Sequence, residues 1–197
     1  SLTDSLGQKF EISSTYNKFY SACRHAHASM DAALEACHNG EIDPAKIRKI
    51  CVETYPAALR LAGIAHPTTP SAARFSIPFS VALALIRSNA NADKYSEENI
   101  KSEGIQNLAR KVELSLSNKW EKLYPEKRGA TVSITDVNNE VKTAEVELAK
   151  GEPENPASEE DIYHKFYTNA TLLLSEGDAK SLGNAIMDLE KVSLDEV

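Results

Sequence analysis

The stretch Thr131-Val132-Ser133-Ile134-Thr135-Asp136-Val137-Asn138-Asn139-Glu140-Val141-Lys142-Thr143-Ala144-Glu145-Val146-Glu147-Leu148 decides the fold. Val132 and Ile134 alternate with polar residues, as do Ala144, Val146 and Leu148, and Val137-Asn138-Asn139-Glu140 between them has the composition of a hairpin turn. Val112, Leu114 and Leu116 repeat the two-residue period, and so do Ile50, Val52 and Thr54 before Pro56 closes that strand. Alternation of this kind puts one face of a sheet on a core and the other in water. The expected class is α+β, a mainly antiparallel sheet with covering helices.

Working outward, Met30, Ala33, Leu34 and Cys37 recur at helical spacing from His27 onward, with Asn39-Gly40 as the stop. Phe75, Phe79, Ala82, Leu83 and Ile86 mark a second helical face, with Ser76 placed to cap it and Pro78 tolerable only in the first turn. Phe10-Glu11-Ile12 is expected as a short strand, Ala65 to Pro70 as a turn, and Asn89 to Ser102 as a surface loop with one helical turn. Gly151-Glu152-Pro153-Glu154-Asn155-Pro156 continues neither helix nor strand and is taken as a linker. Beyond it, Ser158 starts a helix with Ile162, Phe166, Asn169 and Leu173 inward, and Asp178 begins another carrying Leu182, Ile186 and Leu189. The expected division is an α+β domain over residues 1–150 and a linker with helices over 151–197.

The 197 residues, 42% hydrophobic and 26% charged, suffice for a core without staples, and the longest apolar run, Val81 to Ile86, is too short for a bilayer. No membrane association is expected. A net charge of −7 argues against a nucleic-acid partner, because phosphate binding needs a basic face. Cys23, Cys37 and Cys51 form neither a disulfide framework nor a CxxC site, which points to a reducing compartment: the cytoplasm, or the mitochondrion in a eukaryote. The chain begins at Ser1 rather than Met, so further sequence is expected ahead of it.

Chemistry concentrates in Lys18-Phe19-Tyr20-Ser21-Ala22-Cys23-Arg24-His25-Ala26-His27-Ala28-Ser29-Met30-Asp31, just ahead of a helix. Lys18, Arg24, His25 and His27 around a helix N-terminus can orient a di- or tricarboxylate while a nearby base removes the proton next to a carboxylate. The alternative is a hydrogen-bonded core His27 beside solvated Lys18, Arg24 and His25. His25 and His27 lack a third ligand nearby, so no metal is expected. Arg74 and Ser76 at a second helix start can hold a carboxylate by the same logic, or serve as a surface Arg and an ordinary cap. His66 beside Pro67 is most simply a turn residue, and Cys23 has no assignable catalytic partner. The sequence holds no GxGxxG, Walker loop or GxSxG.

The residues from Lys18 to His27 with Met30-Asp31-Ala32-Ala33, then Ala73-Arg74-Phe75-Ser76-Ile77-Pro78-Phe79, then Lys150-Gly151-Glu152-Pro153-Glu154-Asn155-Pro156, in this order and spacing, resemble the MmgE/PrpD family. That family includes 2-methylcitrate dehydratases, cis-aconitate decarboxylases and iminodisuccinate epimerases. The resemblance covers nearly all of this chain but only the C-terminal portion of a full-length member. It implies a parent with a large all-helical domain, mostly ahead of Ser1, and a smaller α+β domain, the helices after Pro156 returning to the helical one. It also implies a site between the two domains that needs no metal or organic cofactor. Lys18 matches a Lys lining that site and His27 its recurrent His, while other family site residues, including catalytic His and Asp, come from the helical domain. Two departures stand out: Phe79 replaces a Tyr common in the family, removing a hydroxyl donor, and Cys23 stands where the decarboxylases carry a His.

The resulting expectation is the C-terminal part of a lyase that abstracts a proton alpha to a carboxylate of a small polycarboxylate, with loss of water or CO2. Lys18 and His27 are its catalytic candidates, and Arg24, His25, Arg74 and Ser76 its substrate-binding ones. An epimerase of the same family and a non-catalytic scaffold with a decayed site are the rivals. The parent is expected to be an enzyme and the chain alone inactive, and the helices after Pro156 should leave an apolar face that favours self-association.

Overall fold

A computed structural model of the chain describes residues 6–8, 10–38 and 42–189. Its sheet has four strands, β1 (Ile47–Thr54), β2 (Val112–Leu116), β3 (Ala130–Asp136) and β4 (Val141–Val146), in the order β2-β1-β3-β4. The alternation seen in the sequence settles most of the side chains that enter the core, Ile50, Val52 and Thr54 of β1 and Ala130, Val132, Ile134 and Asp136 of β3, while Ile47 joins them through a register shift between Ile47 and Lys49. β3 and β4 form the expected hairpin. Both backbone N–H groups of Asn138 and Glu140 donate to one Asp136 carboxylate oxygen at 2.8 Å, and Asn139 takes the left-handed conformation, φ 67°, that Asn tolerates well. β4 stops at Val146, so Leu148 lies beyond it.

The sheet is mixed. β1 is antiparallel to β3 and β3 to β4, but β1 pairs with β2 in parallel, from Ile50 opposite Val112 to Thr54 opposite Leu116. Alternation tells a strand's two faces but not its direction. Direction here follows from the connection, because a long helical crossover returns the chain to the end of the sheet from which β1 set out.

That crossover holds α2 (Pro56–Ala62), α3 (Pro70–Ala73), α4 (Ile77–Arg87), α5 (Glu97–Lys101) and α6 (Glu103–Ala109). α1 (His27–His38) precedes β1, and α7 (Asn118–Leu123) links β2 to β3. The predicted stop at Asn39-Gly40 lies outside the described residues. α1 packs on β3, β4 and α4, and α4 packs on α1, α6 and β2. α4 is buried from Ile77 to Leu85, as a helix apolar on nearly every side must be. Ser76 caps it, accepting from the Phe79 N–H at 3.1 Å, and Pro78 sits in the first turn where no N–H is missed.

Elsewhere the structure departs from expectation. Residues Glu11–Ser14 form an exposed 3-10 turn rather than part of a strand, closed by the Ser13 N–H on the Phe10 carbonyl at 3.1 Å. The polar run from Asn89 to Ser102 is not a surface loop: Ala90, Tyr95, Asn99 and Ile100 are buried. Its polarity is consumed internally, with Asn99 Oδ1 accepting from Arg87 Nη2 at 2.7 Å and Asn99 Nδ2 donating to the Lys94 carbonyl at 2.8 Å.

The chain divides into two compact units between Pro156 and Ala157. The second holds α8 (Glu159–Ala170), opened by a capping box between Ser158 and Asp161, and α9 (Glu176–Met187), capped by Ser175 rather than beginning at Asp178. Gly183 lets the two helices approach, since a Cβ there would lie 2.8 Å from the Tyr163 ring. Leu173 falls in the connecting turn and is 93% exposed, not on the inward face of α8.

Trp120, the sole tryptophan, is fully buried and covers Gly129, where a Cβ would come within 2.2 Å of the indole. Gly129→Ala is therefore expected to displace the ring, costing about 1–3 kcal/mol in urea denaturation and red-shifting the fluorescence. Unchanged emission and midpoint would contradict this packing.

Candidate active site

The segment from Tyr16 to Asp31 is held from two sides. On one, the Cys23 N–H donates to the Arg74 carbonyl at 2.7 Å, the Ser21 N–H donates to the Ala90 carbonyl at 2.9 Å, and Arg74 Nη1 donates to the Ser21 carbonyl at 2.8 Å. On the other, the Asn17 N–H donates to the Gly151 carbonyl at 2.8 Å, the Lys150 N–H donates to Asp31 Oδ2 at 3.0 Å, and Arg24 forms a buried ion pair with Glu152. Gly151 has φ 91°, and a Cβ would stand 2.2 Å from the Asn17 carbonyl oxygen, so glycine is required. The run from Gly151 to Pro156 thus belongs to the first unit and walls the segment.

Lys18 is exposed. His27, the first residue of α1, is 1% exposed, its ring edge-on to Tyr20 at 5.2 Å and its Nε2 3.4 Å from the Ala22 carbonyl. Burial, with Arg24 and Lys18 adding to it, pulls the imidazole pKa down to about 3, so it is neutral at ordinary pH. Arg24 lies in the 3-10 turn Arg24–Ala26, its guanidinium 5.0 Å from the Tyr16 ring. Its Nη1 is buried without a hydrogen-bond partner among the described residues.

His25 has a separate set of neighbours. Its Nδ1 is 2.7 Å from the Tyr55 hydroxyl, and burial followed by Arg128, Arg24 and Arg60 lowers its pKa. Arg74 and Ser76 are occupied. The Arg74 guanidinium stacks 4.9 Å from Tyr95 while holding Ser21, and the fully buried Ser76 hydroxyl donates to the Ile64 carbonyl at 2.5 Å while capping α4. Phe79 is fully buried, 6.2 Å from the Tyr95 ring, and Cys23 is half-buried. The structure thus brings Lys18, Arg24 and His27 together and gives Arg74 and Ser76 to bracing contacts.

Sequence reasoning passed over three groups at this place. Tyr20 donates to Asp31 Oδ1 at 2.5 Å, burial raises the pKa of both, and Glu152 supplies the counter-charge to Arg24. Asp31 carried a local signal, standing four residues after His27 on one helix face. Glu152 carried none, its partner being remote in the chain. Among the described residues no cluster of three His, Cys, Asp or Glu can hold a metal, and no helix is long and apolar enough to cross a membrane.

The fold is an α+β domain in which the loop carrying Lys18 and Arg24 leads into the start of α1 at His27. The family model described as MmgE/PrpD C-terminal domain matches residues 20–191, and the chain belongs to the MmgE/PrpD family. Among curated proteins, none matches the chain.

The buried neutral His27 gives a pH signature. The unfolded chain takes up this proton near pH 6.5 and the folded one only near 3, so the contribution is complete above pH 6.5 and is lost as pH falls toward 3. The slope reaches about 1.4 kcal/mol per pH unit. The raised pKa of Asp31 acts in the opposite sense, removing stability as pH rises above its ordinary 3.8, so the readout is the difference between wild type and His27→Gln. Denaturation midpoints across pH 4–7 should show the variant's dependence flattened, and parallel curves would mean that His27 is protonated in the fold.

Proposed function

We propose that the chain is the C-terminal portion of an enzyme that removes a proton alpha to a carboxylate of a small polycarboxylate and then expels water or CO2. Abstraction next to a carboxylate builds enolate charge on a group already anionic, so the site must supply fixed positive charge where that charge grows. Exposed Lys18 and buried Arg24, which both act on His27, with Arg24 Nη1 lacking a hydrogen-bond partner among the described residues, are the observation that carries the reading. It is reinforced by context, since the chain as a whole bears a net charge of −7 and belongs to a family with these chemistries.

In this reading Lys18 meets a substrate carboxylate or the enolate, and Arg24 adds a second positive charge behind it. His27 remains neutral and fixes the Tyr20–Ala22 backbone on which Lys18 is mounted. His25 serves substrate binding, while Arg74 and Ser76 keep the segment in place. The opposite wall, with the base that takes the proton, comes from the family's helical domain, and no metal or organic cofactor is invoked. Epimerisation shares the first step and differs in returning the proton to the other face.

The test uses the polypeptide that carries the helical domain ahead of residue 1, assayed on 2-methylcitrate, citrate, cis-aconitate and iminodisuccinate with product analysis. Lys18→Ala is expected to lower kcat/KM on the active substrate by about 10²–10³-fold. Unchanged turnover on every substrate would sink the assignment.

We assign the apolar groups that α8 and α9 expose, among them Ile186 and Met187, to packing against that helical domain, so the chain alone should self-associate. Light scattering at high concentration is expected to give a mass above 21.6 kDa, and a strict monomer would count against this.

A further inference from the structure

The 3-10 turn that buries Arg24 points the next side chain, His25, toward the end of β1 and the start of α2, where a second group of cations gathers around two tyrosines. Tyr55, fully buried, precedes α2, and its ring stacks on Tyr124 at 4.6 Å. Three elements converge there. α2 packs against the Arg24–Ala26 turn, Arg60 lies in its last turn, and the Thr54 hydroxyl holds the Gly129 carbonyl at 2.9 Å, bringing neighbouring Arg128 to the same corner.

The hydrogen bonding fixes which proton His25 shows to solvent. Among the described residues buried Tyr55 has one partner for its hydroxyl, His25 Nδ1 at 2.7 Å, and burial raises its pKa so that the phenol keeps its proton. A buried O–H with a single acceptor donates to it, so Nδ1 accepts and the imidazole proton resides on Nε2. Nε2 has no hydrogen-bond partner among the described residues, and His25 is half-buried, so this N–H faces outward as a donor.

Two of the three cations beside it form no ion pair among the described residues. The charged groups acting most strongly on His25 are Arg128, Arg24 and Arg60, and the Tyr55 hydroxyl feels Arg128 and Arg24. Arg24 has Glu152, but neither Arg60, which is exposed, nor Arg128, which is half-buried, forms an ion pair among the described residues. In a chain with 29 acidic and 22 basic residues, two arginines left unpaired around an outward imidazole N–H form a positive corner that a carboxylate would neutralise.

We propose that His25 Nε2–H, Arg60 and Arg128, on the Tyr55–Tyr124 wall, form a second carboxylate subsite, so that the substrate spans Arg24 with carboxylates at both ends. The inference rests on the polycarboxylate reading above and deepens it: a ligand with one carboxylate fills the Lys18 end only, and one with two or three fills both.

The test is NMR of the polypeptide that carries the helical domain, following the ring signals of His25 and the amides of residues 18–31 against propane-1,2,3-tricarboxylate, with acetate and sulfate at matched ionic strength as controls. The tricarboxylate is expected to raise the His25 pKa by about one pH unit, because an anion beside the ring favours the imidazolium, and the controls should leave it in place. Arg60→Gln with Arg128→Gln should raise the His25 pKa without ligand and remove most of the ligand-induced shift. Should Arg128→Gln fail to fold, exposed Arg60→Gln alone should remove part of that shift. If the amides near Lys18 respond while His25 does not move, the second subsite is wrong and the reading of the Lys18 end stands. If neither responds, both fail. An equal response to sulfate, or a shift that survives the arginine substitutions, overturns the assignment to a carboxylate held by this corner.

Discussion

The ion pair between Arg24 and Glu152 is the contact on which the site-bearing segment depends. Both side chains are more than nine-tenths buried, and a charge taken out of water is tolerable only beside its counter-charge. The turn after β4 therefore cannot swing away without leaving a guanidinium unpaired in the interior. The Asn17–Gly151 backbone bond and the Asp31–Lys150 bond act in the same direction, so the wall carrying Lys18 is fixed before any ligand arrives. Electrostatic catalysis needs that property, since a charge that must first be reoriented loses part of its effect.

The same segment holds two bases in opposite surroundings. His27 sits at a helix N-terminus, buried, next to cations, and every one of these influences disfavours the imidazolium. Lys18 reaches water and keeps its side chain exposed. The separation needs only the change of direction at the Arg24–Ala26 turn, which sends successive residues to different surroundings: Arg24 to Glu152, His25 to Tyr55, His27 to Tyr20.

What could be read from the chain was whatever is decided locally. The Asp136–Glu140 turn, the Ser76 cap and the inward faces of β1 and β3 follow from residues a few positions apart. The direction of β2 did not, because it is set by a crossover of five helices, of which α2 and α6 show no distinctive period. The run from Asn89 to Ser102 was opaque for a related reason: the Asn99 side chain is satisfied by Arg87 and by the Lys94 carbonyl, so hydrophilicity coexists with burial. The density of Lys18, Arg24, His25 and His27 drew attention to the segment from which the proposed site is built. The engagement of Arg74 by Ser21 and Tyr95, and of Arg24 by Glu152, depends on contacts between distant parts of the chain.

The parallel β1–β2 pairing also carries a consequence for the order in which the molecule is made. β1 lies centrally, yet its neighbours are a strand beginning at Val112 and another beginning at Ala130, so it has no partner while the ribosome is still adding the helices between them. The segment from Lys18 to Asp31 leaves the exit tunnel earlier still, and its last support arrives with Lys150 and Glu152. The residues assigned to chemistry thus precede every strand of the sheet and are the last to be locked, and until then Arg24 has to remain in water.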